Sequence, residues 1–137
     1  DPERTPMQWD GSEGAGFTSG TPWLPHNEDS ESRNVSSQER DPGSLLSWYK
    51  SLIALRRSSE SLRAGGIRFL DLDPEVLAYE RGSGASRAIV LLNFASRPRR
   101  VVLDAEARVL LGGARRSGTV LGPGPVRLGP CECVIAS

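Results

Sequence analysis

Apolar residues are distributed unevenly along this chain. Residues 1–43 contain few aliphatic side chains, whereas residues 45–111 are rich in them, so a hydrophobic core is expected from the middle and C-terminal parts. The first part is rich in Gly, Pro, Ser and acidic residues, a composition typical of loops. It nevertheless carries four large side chains: Met7, Trp9, Phe17 and Trp23. Because disordered segments are poor in aromatics, these side chains predict an ordered loop that packs against this chain's own core or another one.

A helical period begins after Asp41-Pro42-Gly43. Ser44 is a residue type that caps helix N-termini, and Arg56 and Arg57 lie where a helix C-terminus favours cations. Between them, apolar side chains recur on one stripe: Leu45, Trp48, Tyr49, Leu52 and Leu55. The pattern predicts a helix over residues 44–58, and the width of its apolar stripe predicts that it packs on a substantial partner.

From residue 67 onward the apolar period changes to two, which is the period of strands. Residues 67–72 and 76–81 flank the turn signal Asp73-Pro74 and predict a hairpin. The run Ala88 to Phe94 is apolar on both faces and predicts a central strand covered on both sides. Further short strands are predicted over residues 100–103, 108–111, 119–121, 126–128 and 131–136. Short strands separated by turns at this regular spacing predict an antiparallel β-sandwich.

Composition and charge exclude several functions. The chain has 17 basic and 17 acidic residues, and this balance predicts no nucleic-acid partner. The longest apolar run, Ala88 to Leu92, is too short to cross a bilayer, so no membrane partner is expected. The chain begins at Asp1-Pro2 without a signal segment. We interpret it as a fragment or a processed piece and expect a cytoplasmic location.

Cys131 and Cys133 are the only cysteines, and His26 is the only histidine. A standard zinc site is therefore unsupported, and neither a metal nor a cofactor is expected. Two cysteines spaced i, i+2 in a strand lie on one face, but a disulfide between them would strain the backbone. We expect both to act as small apolar residues that face a core.

The segment Arg4-Thr5-Pro6-Met7-Gln8-Trp9-Asp10 is the most distinctive string in the sequence. It places a guanidinium, an amide, an indole and a carboxylate within a short stretch. This set suits sugar hydroxyls, because it combines planar donors, bidentate acceptors and a ring that stacks on a pyranose face. The alternative is a proline-fixed turn in which Trp9 fills a core and Arg4 pairs with Asp10.

The same string resembles the segment after the last catalytic strand in α-glucosidases and oligo-1,6-glucosidases of glycoside hydrolase family 13, the α-amylase family. The resemblance extends over nearly the whole chain, through residues 15–18, 22–25, 34–45, 49–57, 90–94 and 128–132. It departs at Gly14, where Asn is common in the family, and at Cys131, where an aromatic residue is more usual. The form Pro22-Trp23-Leu24-Pro25 favours an α-glucosidase over the related trehalose synthases.

The resemblance implies a (β/α)8 barrel followed by a C-terminal antiparallel β-sandwich, and this chain looks like the last piece of that architecture. Residues 1–58 would be the tail of the catalytic barrel, comprising its last active-site loop and eighth helix. Residues 59–137 would form the sandwich domain, so the fold class of this chain is expected to be mainly β. The remainder of the barrel would be its partner.

For function, the resemblance implies retaining hydrolysis of terminal α-linked glucose from oligosaccharides by a pair of carboxyl groups. The family's catalytic motifs lie earlier in the barrel and are absent here. No catalytic residue is therefore expected in this chain, which alone is expected to be inactive. Arg4 resembles the family's arginine that contacts the non-reducing glucose, and Gln8, Trp9 and Asp10 are expected to shape the loop beside it.

Other functions remain open. The chain could belong to the non-catalytic heavy subunit of an amino-acid transporter, which resembles the same family, although the intact motif with Arg4 favours the enzyme. It could also belong to a trehalose synthase or another transglycosylating relative. The sandwich alone could bind carbohydrate, but few aromatics lie in its strands: Phe69, Tyr79 and Phe94.

Overall fold

The structure is a computed structural model that describes residues 2–82 and 84–137. Its backbone contacts divide the chain into two compact units, Asp1–Ser51 and Leu52–Ser137. The helical elements are a 3-10 turn over Pro2–Arg4, α1 over Val35–Arg40, α2 over Leu45–Ser58, α3 over Glu60–Ala64 and a second 3-10 turn over Gly84–Ser86. Among the described residues, the first unit is mostly loop, and the second unit contains eight strands.

Backbone hydrogen bonds order the long loop of the first unit. The amide of Val35 donates to the carbonyl of Gln8 at 3.0 Å, and the amide of Ser36 donates to the carbonyl of Trp9 at 2.9 Å. The large side chains of this loop are exposed, from 51% for Trp9 to 80% for Trp23. In the described residues, the loop is therefore ordered as expected, and its large side chains do not pack into this chain's own core. Packing against another core stays a prediction.

Helix α2 confirms the predicted helix. Ser44 Oγ accepts a hydrogen bond from the amide of Ser47 at 3.2 Å, which is the contact of an N-cap. Within the second unit, Leu52 and Leu55 pack against the sheet. In the part of the chain that the structure describes, α2 has no buried residue, and Leu45 and Tyr49 expose more than half of their surface. The predicted partner for the whole apolar stripe stays a prediction.

The strands of the second unit follow the predicted series closely. They are β1 over Ile67–Asp73, β2 over Val76–Arg81, β3 over Ala88–Asn93, β4 over Arg99–Leu103, β5 over Ala107–Gly112, β6 over Val120–Leu121, β7 over Gly124–Leu128 and β8 over Cys133–Ala136. Six of them form a sheet in the order β1-β2-β3-β8-β5-β6, and β4 pairs with β7 in a second sheet. Every pairing described is antiparallel.

One hydrophobic core lies between the two sheets. The six-stranded sheet contributes Leu91, Val109 and Val134, and the two-stranded sheet contributes Val101 and Leu128, all of them almost fully buried. A second cluster covers the other face of β3, where Val90 and Ile135 pack with Leu62 of α3. Strand β3 is therefore covered on both faces, as its apolar run predicts, and the mainly β sandwich fold is confirmed.

The expectation that both cysteines face a core is wrong for Cys131. This residue precedes β8, is exposed, and has a φ of 49°, in the left-handed region of a turn. Its amide donates to the carbonyl of Ala95 at 3.0 Å, which places it in a connection rather than in a strand. Cys133 is half-buried in β8, where burial raises the pKa of its thiol.

Candidate functional site

The motif that suggested a sugar contact begins at the 3-10 turn and continues into the ordered loop of the first unit. Arg4 ends the turn over Pro2–Arg4 and is exposed. Pro6, two residues later, is buried, and proline has a fixed φ. The backbone around Arg4 is therefore conformationally restricted, by the 3-10 turn that precedes it and by Pro6 that follows it.

Gln8 connects this segment to a distant part of the loop through both ends of its side-chain amide. Its Nε2 donates to Asp29 Oδ1 at 3.0 Å and to the carbonyl of Arg33 at 2.9 Å. Its Oε1 accepts a hydrogen bond from Asn27 Nδ2 at 3.1 Å. Because both the amide nitrogen and the amide oxygen of Gln8 are hydrogen-bonded, the planar amide fixes the distance between the segment around Gln8 and the segment of residues 27–33.

Trp9 is held by its backbone, while its indole stays half-exposed. Its amide donates to the carbonyl of Ala15 at 2.8 Å, and its carbonyl accepts from Ser36. The side chain is 51% exposed, so the alternative in which Trp9 fills a core does not describe this structure. The exposed indole is compatible with a ring that faces a ligand.

Asp10 forms a tight turn with the residues that follow it. Its Oδ1 accepts hydrogen bonds from the hydroxyl of Ser12 at 2.5 Å and from the amide of Ser12 at 2.9 Å. These two bonds, the hydroxyl first, lower the pKa of Asp10 below its ordinary value. Gly16 packs against the same carboxylate with a φ of 65°.

Arg4 contacts an aromatic ring from another part of the loop. Its Cζ lies 5.1 Å from the ring centroid of Trp23, a distance at which a cation is attracted to the face of the ring. The sequence does not predict this pairing, because cation–π partners far apart along a loop leave no periodic signal. The signal that exists is compositional: an arginine and a tryptophan, each close to prolines.

His26 lies in the same loop and is bound to backbone and hydroxyl groups. Its Nε2 lies 3.2 Å from the carbonyl of Glu13, and its Nδ1 lies 3.1 Å from the hydroxyl of Ser30. Within residues 2–82 and 84–137, no group of three His, Cys, Asp or Glu side chains is arranged to hold a metal ion. None of the helices in those ranges has the length and hydropathy needed to cross a bilayer.

Comparison with known proteins shows what this chain is similar to. The family described as alpha amylase, catalytic domain, matches residues 1–65. An oligo-1,6-glucosidase from Parageobacillus thermoglucosidasius is 43% identical over 98 residues, which cover 71% of this chain and 17% of that enzyme. The oligo-1,6-glucosidase of Heyndrickxia coagulans is 37% identical over 123 residues, which cover 87% of this chain and 22% of that enzyme.

Solved structures extend the similarity to almost the whole chain. The trehalulose synthase MutB from Pseudomonas mesoacidophila MX-45 is 32% identical, with a TM-score of 0.85 over 97% of this chain and 25% of that one. The chain thus spans about a fifth of the length of the curated relatives described, at 17% and 22%. The similarity covers the ordered loop, the helices and the sandwich together.

Proposed function

We propose that this chain is the C-terminal part of an α-glucosidase of the α-amylase family, glycoside hydrolase family 13, and that this enzyme releases terminal α-linked glucose from oligosaccharides with retention. The observation that carries the proposal is the motif Arg4 to Asp10. The motif is intact in the sequence, and the chain is similar to two oligo-1,6-glucosidases.

In this proposal the chain supplies binding and support, while the catalytic carboxyl groups lie elsewhere in the barrel. Retaining glycosidases need a carboxylate nucleophile and a carboxylic acid on either side of the scissile bond. None of the acidic residues here lies in a motif of that kind. We therefore assign residues 1–58 to the barrel's tail and residues 59–137 to the supporting sandwich, and we place the full-length enzyme in the cytoplasm.

The proposed role of Arg4 is to bind the terminal glucose. A guanidinium carries several donors in a fixed plane and grips two adjacent hydroxyls at once. Gln8, Trp9 and Asp10 would hold the loop that carries it. Both ends of the Gln8 amide, the backbone of Trp9 and Oδ1 of Asp10 form hydrogen bonds within the loop. The arrangement binds and orients the sugar and performs no proton transfer.

Incubating the full-length protein with maltose, isomaltose and an aryl α-glucoside tests the function. We expect glucose to appear first as the α-anomer, which NMR detects before mutarotation. The chain of residues 1–137 alone is expected to give no turnover above a buffer blank, because it lacks the carboxyl pair. Turnover by the chain alone would overturn the division of roles, and no activity in the full-length protein would favour the transporter heavy subunit.

A second candidate function is an isomerising synthase, which the similarity to trehalulose synthase favours. The same assay separates the two candidates when sucrose is added as substrate. A hydrolase releases free glucose and fructose, whereas a synthase accumulates an isomeric disaccharide. Chromatography of the products decides between them.

The role of Arg4 has its own test in the full-length enzyme. Removing one charged donor from a sugar contact lowers kcat/KM by about ten- to a hundredfold, so Arg4→Ala should show that loss at an unchanged melting temperature. If Arg4 only braces the loop against Asp10, then Arg4→Ala and Asp10→Ala should lower the melting temperature alike and spare kcat/KM.

A further inference from the structure

We propose that Trp23 is a positioning residue for Arg4, whose indole holds the guanidinium where it meets the terminal glucose. The inference rests on the proposed role of Arg4 in substrate binding. The Cζ atom of Arg4 lies 5.1 Å from the centroid of the Trp23 ring. This distance is inside the range of about 6 Å over which a ring face attracts a cation, and tryptophan is the strongest of the aromatic partners.

Packing within the described chain does not account for this tryptophan. Its side chain is 80% exposed in the described structure, more than Trp9 or Phe17 of the same loop. An indole that buries so little surface contributes little to a hydrophobic core. Its contact with the Arg4 guanidinium is the feature of the described chain on which we base a role for Trp23.

Both partners are carried by stiff segments of backbone. Trp23 lies in the string Pro22-Trp23-Leu24-Pro25, where each proline fixes its own φ and restricts the residue before it. Arg4 ends a 3-10 turn and is followed by the buried Pro6. Ring and guanidinium thus meet across the loop from backbones that have few alternative conformations.

The chemistry of the pair suits a sugar contact. A cation over an aromatic face is attracted by the ring's charge distribution, and this attraction consumes none of its N–H groups. The N–H donors of arginine lie in the guanidinium plane, in a fork that fits adjacent oxygen atoms. The ring therefore restricts the long arginine side chain without competing for the donors that a sugar needs. Ordering the side chain before binding lowers the entropy cost of binding.

A double-mutant cycle in the full-length enzyme tests the inference, with kcat and KM measured on an aryl α-glucoside. Trp23→Leu should raise KM about two- to fivefold at unchanged kcat, which is the effect of losing an exposed cation–π pair. Trp23→Phe keeps a weaker ring and should give a smaller increase. In the Arg4→Ala background, Trp23→Leu should change KM no further. Phe94→Leu, which removes a ring 71% exposed in the second unit, is the matched control and should leave KM unchanged.

The outcomes separate this inference from the proposal on which it rests. If Arg4→Ala leaves kcat/KM unchanged, the binding role of Arg4 is wrong and the inference falls with it. If Arg4→Ala lowers kcat/KM but Trp23→Leu has the same effect with and without Arg4, or none, only the inference is overturned. A Trp23→Leu enzyme with a lowered melting temperature and an unchanged KM also overturns it. Should Trp23→Leu fail to fold, Trp23→Phe decides by the same comparison of KM in both Arg4 backgrounds.

Discussion

Two polar side chains hold the candidate loop, each through a different kind of contact. Gln8 bridges two segments that are far apart in sequence, through Asn27 and Asp29. Asp10 closes a local turn onto Ser12. The loop therefore depends on hydrogen bonds that a single substitution removes, rather than on burial that is spread over many residues.

Gly16 is a backbone position of that turn at which an added side chain would be strained. Its φ is 65°, and a Cβ added there would lie 2.7 Å from Asp10 Oδ2. We expect Gly16→Ala to destabilise the turn by about 1–2 kcal/mol from the left-handed backbone alone, and to speed proteolysis within residues 11–20. Gly20→Ala is the matched control, because its added Cβ would meet Thr18 Oγ1 only at 3.9 Å. Equal cleavage rates for the two variants would show that the turn does not need this conformation.

From the sequence, the only residues of the site that could be grouped together were those close to one another along the chain. The segment from Arg4 to Asp10 stands out by composition, whereas Trp23, Asn27 and Asp29 contact it across the loop. Such contacts depend on how the loop folds back, and a loop has no apolar period that encodes its path. The roles assigned to Gln8, Trp9 and Asp10 stay predictions.

At the scale of elements, strands and the long helix were predictable because their apolar periods run over enough residues. Helices α1 and α3 have six and five residues, too few for a period to emerge. They form because side chains cap them: Asn34 accepts from the amide of Ser37, and Ser59 accepts from the amide of Leu62. Cys131 was wrongly predicted to lie in a strand for the same reason. The apolar pattern of a strand as short as β8 does not show where the strand begins.

An ion pair links the two sheets of the sandwich, between the end of β1 and the start of β4. Arg99 of β4 donates to Asp73 at the end of β1, with Nη2 2.6 Å from Oδ2, and both side chains are largely buried. The guanidinium, followed by the amide of Glu75, lowers the pKa of Asp73. A depressed pKa in the folded state stabilises the fold above the unfolded pKa of about 4, and this stability disappears as pH falls through the folded value.

We therefore expect Asp73→Asn to be less stable than the unchanged chain at pH 7, with the difference shrinking as the pH falls below the unfolded pKa of about 4. Denaturant unfolding at a series of pH values measures this. Asp71→Asn, at an exposed position of the same strand, is the control and should show little difference at any pH. A deficit of Asp73→Asn that does not shrink as the pH is lowered below about 4 would contradict the ionic role of the pair.

Strand β3 supplies one of the fully buried side chains of the core. Leu91 is fully buried at its centre, and replacing a buried leucine by alanine costs about 2–5 kcal/mol. Leu91→Ala should therefore lower the free energy of unfolding by that amount, as measured by urea titration. Leu77→Ala, on the neighbouring β2 with 39% of its surface exposed, should cost clearly less. Similar losses for the two would show that β3 is not the centre of the core.

For the whole chain, we expect the two units to differ in resistance to proteases. The sandwich buries a continuous core, whereas the loop of the first unit depends on hydrogen bonds near exposed rings. Limited proteolysis should therefore cut first within residues 11–20 or 28–33. Mass spectrometry of the first fragments identifies the sites. Initial cleavage within residues 88–94 would contradict the central position of β3.

The order of strands in the large sheet has a consequence for synthesis on the ribosome. Strand β8 is the last of the eight along the chain, yet it lies between β3 and β5, with Val134 and Ala136 fully buried. Until residues 133–136 leave the exit tunnel, β1-β2-β3 and β5-β6 are two half-sheets with unpaired edges. The nascent sandwich therefore exposes those edges until β8 has been synthesised, and a premature stop shortly before β8 would leave a product with two unpaired, aggregation-prone sheet edges.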